Sequence, residues 1–290
     1  MASLKAIRRR IASVRSTQQI TRAMKFVAAA RLRRAQEALL SARPYHDSLA
    51  RIADNLFATE RAALGPAEGA QPDVLITVIG SDRGLCGGYN ANLIRKAEEE
   101  ATRAREQGMS VKFNVVGRKP LDHLRRAGYN IAFESINNQR LANFALAQDL
   151  AARTLNEFRT GKVVEAGLVY SQFRSALSQR PTFERLLPVA EKQADESDDA
   201  IAAPTDYLVE PSRAELVPVV LRGYLEDSIF HALLEAEASE QGARMTAMDS
   251  ATNNAAEMIG RLTLEMNRAR QATITKELMD IVGGAEAIRG

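Results

Sequence analysis

Apolar residues recur at three- and four-residue steps from the start of the chain, at Leu4, Ile7, Ile11 and Val14. The stripe then moves to Ile20, Met24 and Val27, and on to Leu32 and Leu39. This is the spacing of an amphipathic helix. The first Pro is Pro44 and the first Gly is Gly65, so one long helix can run to about Leu56. Because the stripe shifts, that helix has more than one apolar face to cover. Near the other end, Met245, Met248, Thr252, Ala255, Ile259, Leu262, Met266, Ala269 and Thr273 keep a 3-4 cadence. Two such positions per heptad predict a coiled coil. Its Thr and Ala positions let helices approach closely but bury little apolar area.

The middle of the chain has a different rhythm. Residues 65–72 read as a linker from their Gly and Pro content. Residues 73–80 form a near-continuous apolar run of strand length, which suits a strand buried on both faces. A Gly-rich turn follows, then a helix over 91–106, a strand over 111–117 and a helix over 119–127 that Gly128 ends. A strand over 129–134 and a helix over 139–158 come next, then strands over 163–170 and 182–189 that suit a hairpin. This order predicts an open α/β sheet of Rossmann-like type, mostly parallel, with the hairpin at one edge. Residues 191–204 are acidic and poor in apolar residues, and read as a loop. The expected organisation is an N-terminal coil helix over 1–60, an α/β domain over 73–190, a loop and following segment over 191–210, and a C-terminal coil helix over 211–290.

Charge adds a pairing rule. Residues 1–36 hold ten Lys or Arg and no Asp or Glu, whereas residues 223–290 hold six basic against eleven acidic residues. Opposite charge favours pairing of the two ends over self-pairing of the basic helix. The expected fold is therefore a long antiparallel coiled coil of the terminal helices with the α/β domain inserted between them. The net charge of +3 hides this split, since the chain beyond residue 36 carries −7.

Composition narrows the classes. The chain is 46% hydrophobic and 26% charged, lacks Trp, and has only 5% aromatic residues, so Ala, Leu, Ile and Val must fill the core. No apolar run approaches the roughly 20 residues that span a bilayer. The basic, acid-free start also has the composition of a mitochondrial presequence. Its periodicity, however, continues through Pro44 to about Leu56, as a structural helix would. The single cysteine, Cys86, leaves no internal disulfide and suits a reducing compartment.

Catalytic and ligand-binding patterns are weak. The turn at 80–88 follows a strand and precedes a helix, the setting of a phosphate loop. Its spacing is neither GxGxxG nor GxxxxGK[ST], no Lys follows, and no acidic residue ends the second strand to hold a ribose. The turn instead reads as a tight bend in which Gly84, Cys86, Gly87 and Gly88 serve structure, through positive φ and close backbone approach. His46, His123 and His231 lie far apart in sequence without metal-ligand spacing, and His231 reads as a satisfied packing residue. Glu235 and Glu237, two apart on a helix, read as a solvated face. No GxSxG elbow is present. The residues therefore point to no catalytic centre, metal or cofactor. A nucleic-acid-binding coil is a second reading of the basic arm, but Phe26 is its only aromatic and the acidic coil would compete for it. A Rossmann-like enzyme is a third.

Four blocks resemble one family. Residues 7–36 (IRRRIASVRSTQQITRAMKFVAAARLRRAQ) look like the N-terminal helix of the gamma subunit of rotary ATP synthases. Residues 82–88 (DRGLCGG) resemble its Gly-rich turn, and residues 244–255 (RMTAMDSATNNA) the start of its C-terminal coil. Residues 274–287 (ITKELMDIVGGAEA) fit its signature, with Thr275, Glu277, Asp280, Gly284 and Ala285 in place. The blocks occur in the family's order and span nearly the whole chain. Phe26 stands where Met is common.

The resemblance implies a non-catalytic rotor shaft that couples proton-driven rotation of a membrane c ring to the conformational cycle of the beta sites. Its implied partners are three alpha and three beta subunits, an epsilon subunit and the c-subunit ring, with no nucleic acid and no cofactor. Its implied place is the cytoplasmic face of the bacterial inner membrane, held there peripherally through the complex. A helix of about 58 residues would span about 87 Å, enough to pass through a ring of globular subunits. By resemblance, Met24 and Lys25 meet the beta lever loops, and Arg268, Arg270 and Gln271 meet a beta catch loop. Ile281, Val282, Gly283, Gly284 and Ala285 sit in an apolar apical bearing. Tyr207, Leu208 and Glu210 belong to a foot over the c ring.

Overall fold

The computed structural model describes residues 4–59, 64–67, 69–137, 141–189, 207, 209–210 and 212–289. The expected loop over 191–204 and the foot residue Leu208 lie outside these residues. The element order is α1 (Leu4–Thr59), β1 (Asp73–Ile79), α2 (Tyr89–Glu106), β2 (Ser110–Val116), α3 (Arg118–Arg126), β3 (Asn130–Ser135), α4 (Phe144–Arg159), β4 (Glu165–Phe173), β5 (Gln179–Leu187) and α5 (Arg213–Arg289). The chain divides into two compact units. One is Met1–Ala28 with Met245–Gly290, and the other is Ala29–Arg244.

The second unit holds the sheet, in the order β3-β2-β1-β4-β5. β1 pairs in parallel with β2 and β4, β3 pairs in parallel with β2, and β5 runs antiparallel to β4. β1 (DVLITVI) is apolar except for Asp73 and the buried Thr77 because it is covered on both sides. Val74, Ile76 and Val78 point to one face, where Leu93 and Ala97 of α2 and Leu121 and Leu124 of α3 close over them. Leu75 and Ile79 point to the other face, among Leu150 and Ala151 of α4. Ala53, Leu56 and Phe57 of α1 and Val217, Leu221 and Leu225 of α5 complete that second layer. Here α1 and α5 complete the core on one face of the sheet, while the other face is closed by α2 and α3. Asn143 caps α4 by accepting from the Ala145 amide at 3.0 Å, which satisfies one of the free donors of its first turn. The exposed faces of edge strand β3 alternate along its length.

In the first unit α1 and α5 pair in antiparallel fashion. Ile7, Ile11 and Leu262 form the buried cluster, with Val14, Met258, Ile259, Met266 and Ala269 packed against it. Along α5 the expected cadence holds: Met248, Ala255 and Leu262 are buried, and Thr252, Ile259, Met266 and Ala269 are half-buried. Thr273 is exposed.

Candidate functional site

The interface of the first unit is more polar than the sequence suggested. On α1 the buried and half-buried row is Ile7, Ile11, Val14, Gln18, Thr21, Lys25 and Ala28. This row keeps strict heptad spacing, so Gln18, Thr21 and Lys25 occupy the seam in spite of their polarity. The expected shift of the stripe onto Ile20 and Val27 does not occur, as these are 58% and 54% exposed, and Phe26 is 61% exposed. Met24 is half-buried. The polar seam residues are matched across the coil. The Thr21 and Thr252 hydroxyls lie 2.8 Å apart, and Lys25 Nζ donates to Asp249 Oδ1 at 2.6 Å.

Among the described residues, partners for this end of α5 stop where α1 begins. The pairing steps from Lys25–Asp249 to Thr21–Thr252 and then to the Ile7–Leu262 cluster, so the start of α1 falls near Ala269. Beyond that point every α5 side chain described, up to Gly284, is exposed. Arg268, Arg270 and Gln271 present free surface at this boundary. Ile274, Leu278, Met279, Ile281 and Val282 are large apolar side chains in the same exposed stretch. Gly283 and Gly284 are helical with open space around them. Ala285 lies in the helix, and its side chain is outside the described set. Of the expected foot, Tyr207 is half-buried and Glu210 exposed.

In the second unit the Gly-rich turn is pinned rather than open. Positive φ falls on Leu85 and Gly87, not on Gly84 or Gly88. Close approach falls on the neighbouring glycines: a Cβ on Gly117 (φ +98) would lie 2.5 Å from the Gly80 carbonyl oxygen. The Arg244 guanidinium donates to the Arg83 and Gly84 carbonyls at 3.4 and 3.3 Å and to Glu240 Oε1 at 2.5 Å. The Tyr89 hydroxyl donates to the Ala236 carbonyl at 3.3 Å. These bonds tie the turn to α5. Burial pushes the Cys86 thiol up, against the opposing pull of Arg244, so the thiol is held in its unreactive form. Burial likewise raises Glu240, again opposed by Arg244.

A cavity of about 690 Å³ opens beside the turn, with Arg31, Arg34, Ser81, Asp82, Arg118 and Glu237 in its wall. The N-terminus of α3, in its wall, is already occupied: Asp82 Oδ1 accepts from the Arg118 amide at 2.9 Å. A carboxylate of the chain itself thus takes up a free donor at the start of α3.

Three readings of single residues change. His46 of α1 and His231 of α5, far apart in sequence, stack with ring centroids 4.2 Å apart and planes within 10°. His46 Nδ1 lies 2.6 Å from Asp227 Oδ2, and His231 Nε2 lies 3.6 Å from Glu235 Oε1. His231 is not fully satisfied, since its buried Nδ1 has no hydrogen-bond partner. Glu235 and Glu237 are not a solvated face. Glu235 is buried and accepts from the Phe173 amide, and Glu237 accepts from the Ala142 amide at 3.1 Å. Both carboxylates take up backbone donors at element ends that the sheet and helix ladders leave free. The available signal for the histidine pair was the i, i+4, i+8 row of Asp227, His231 and Glu235 on α5. Among the described residues no group of three His, Cys, Asp or Glu could hold a metal ion, and no helix is long and apolar enough to cross a membrane.

Comparison with known proteins places these features in context. The family model described as ATP synthase matches residues 3–288. The chain is 46% identical to the ATP synthase gamma chain of Pelotomaculum thermopropionicum over 290 residues, covering 99% of this chain and all of that one. It is 44% identical to the ATP synthase gamma chain of Geotalea daltonii over 297 residues, with both chains fully covered. A chain from the central stalk and c-ring structure of Tetrahymena thermophila mitochondrial ATP synthase superposes with a TM-score of 0.60 at 25% identity, covering 80% of this chain and 99% of that one. A chain from the OSCP, F1 and c-ring structure of Euglena gracilis mitochondrial ATP synthase superposes with a TM-score of 0.69 at 22% identity, covering 98% and 94%. A family model over residues 3–288 and full-length identity of 44–46% to its relatives assign this protein to the ATP synthase gamma chain family.

Proposed function

We propose that this chain is the central rotor shaft of an ATP synthase and carries no catalytic site of its own. On this reading it couples proton-driven rotation of a c ring to the conformational cycle of the beta subunits, where ATP is made. Three alpha and three beta subunits surround the coil, and epsilon and the c ring contact the other unit. The complex holds the chain at the cytoplasmic face of a bacterial inner membrane.

The observation that carries the reading is the coil of the first unit. Its two helices are held by a narrow seam in which a few large apolar residues, Ile7, Ile11 and Leu262, alternate with small and polar ones, and its outer surface is left exposed. Lys5, Arg8, Arg9, Arg10, Arg15 and Arg22 are exposed along α1, a cationic face suited to acidic levers on beta. Met24 and Lys25 are the proposed lever contacts. In the chain by itself Lys25 is held by Asp249, so an acidic lever would compete for a cation that is already half-satisfied. Arg268, Arg270 and Gln271 are the proposed catch contacts, and their exposure supports that role. The unpartnered apolar run of Ile281 and Val282, continuing through Gly283, Gly284 and Ala285, suits a bearing that supplies the missing apolar surface. Tyr207, Leu208 and Glu210 are the proposed foot.

A shaft can do work on beta only if it binds the beta conformers unequally, since equal affinity for two states shifts neither. A coil whose two helices differ in charge meets that requirement, because each beta subunit then faces a different surface. The test is reconstitution. The purified chain alone is expected to hydrolyse no ATP, and mixing it with alpha and beta subunits is expected to produce ATPase at a defined stoichiometry. ATPase in the isolated chain, or an alpha–beta ATPase indifferent to its presence, would refute the proposal.

A further inference from the structure

The stacked histidines serve no part of the proposed rotor function, yet they sit where α1 and α5 meet within the α/β unit. His46 comes from α1, and Asp227, His231 and Glu235 come from α5. The His46 side chain is 24% exposed and that of Asp227 only 9%. Asp227 Oδ2 holds His46 Nδ1 at 2.6 Å, while the flat face of His46 lies against the His231 ring. The other charged groups that act on His46 are the carboxylates of Glu184 and Asp47. Asp47 adjoins it on α1, and Glu184 faces it from β5 with the Tyr170 hydroxyl of β4 donating to that carboxylate at 2.9 Å. Glu235 lies beyond His231 and is held by the Phe173 amide of β4. Charge on His46 is therefore the positive counterpart of a largely buried carboxylate on the opposing helix.

We infer that His46 and Asp227 form a proton-dependent clasp between α1 and α5, closed while His46 is charged and loosened when it loses its proton. Loss of the proton leaves the buried Asp227 carboxylate without a compensating charge, an arrangement that is costly in a protein interior. The direction follows from the titration. The hydrogen bond to Asp227 raises His46 above its ordinary value of 6.5, burial opposes this, and the net shift is upward. A group raised in the folded state contributes stability that is fully present below its unfolded pKa and is lost as pH rises through the folded one. The clasp therefore weakens on alkalinisation, and the junction of the two long helices in this unit becomes softer as the surrounding solution becomes more basic.

The test is hydrogen exchange of the assembled ATP synthase complex, read on peptides spanning residues 42–57 and corrected for intrinsic exchange rates, between about pH 6 and about pH 9. Protection in the unmodified chain is expected to fall several-fold across this range. His46→Gln is expected to flatten the profile, and Asp227→Asn, nearly unchanged in shape, is expected to do the same and serves as the readout should His46→Gln fail to assemble. His231→Phe retains a ring face for stacking but cannot titrate, and is expected to preserve the fall. A pH-independent profile in the unmodified chain, a fall that persists in His46→Gln or Asp227→Asn, or one abolished by His231→Phe would overturn the inference.

Discussion

Replacing Leu262 by Ala will open the coil of the first unit locally. Leu262 is one of three buried residues in its cluster, with Ile7 and Ile11 across the seam, and the remaining members are only partly buried. Truncating a buried Leu to Ala costs about 2–5 kcal/mol, depending on how far the surroundings collapse. Two paired helices can close on a gap more easily than a layered core, so the lower part of that range applies, about 2–3 kcal/mol. Expressed as a local opening equilibrium, this is on the order of a hundredfold. Leu264 is two residues away and 62% exposed, so Leu264→Ala is expected to change stability by less than about 0.5 kcal/mol. Hydrogen exchange on the purified chain distinguishes the two variants. In Leu262→Ala, peptides covering 4–14 and 255–269 should lose protection about a hundredfold while those covering β1 keep theirs. Equal losses in the two variants, or loss in β1 as large as in the coil, would show that this seam is not held by its few buried side chains.

Lys25→Glu sets a carboxylate against Asp249, but the pair is 37% and 46% exposed, so the stability loss should stay under about 1 kcal/mol. Proton-driven ATP synthesis is nevertheless expected to fall further than assembly does, and adding Asp249→Lys should restore helix pairing without restoring synthesis. Unimpaired synthesis in Lys25→Glu would remove the lever assignment. Gly117→Ala combines a φ of +98 with a Cβ 2.5 Å from the Gly80 carbonyl oxygen, whereas Gly108→Ala has a φ of +77 and open space. Denaturant titration should show Gly108→Ala costing about 1 kcal/mol and Gly117→Ala at least about 3 kcal/mol, and equal losses would mean that the close approach is relieved by backbone movement.

The sheet is legible because its central strand is a near-continuous apolar run, broken only by Thr77 after Asp73, and its helices end at Gly108, Gly128 and Gly161, each of positive φ. The β5 boundary was less so. The strand begins at Gln179 and includes Pro181, which an edge strand tolerates because one side of its ladder is unpaired. The cadence of α5 was readable from Met248 to Ala269. Its match on α1 was not, because Ile20 and Val27 draw the eye to an apolar row that the heptad spacing leaves on the outside. The histidine stack is not legible in the sequence, because nothing local marks a contact between residues 46 and 231. The roles of Glu235 and Glu237 are hidden for a related reason: the amides they accept from belong to segments distant in sequence.

The polar positions inside the coil have a mechanical consequence. If one helix slid along the other by a heptad, about 10 Å, apolar residues would still find apolar neighbours, but Thr21 would lose Thr252 and Lys25 would leave Asp249 behind. Matched polar groups at seam positions fix the alignment of paired helices in this way, at some cost in adhesion. Two strands of a twisted rope without such marks can creep under load. In this chain Thr21 and Lys25 act as teeth, so that turning one helix must carry the other with it.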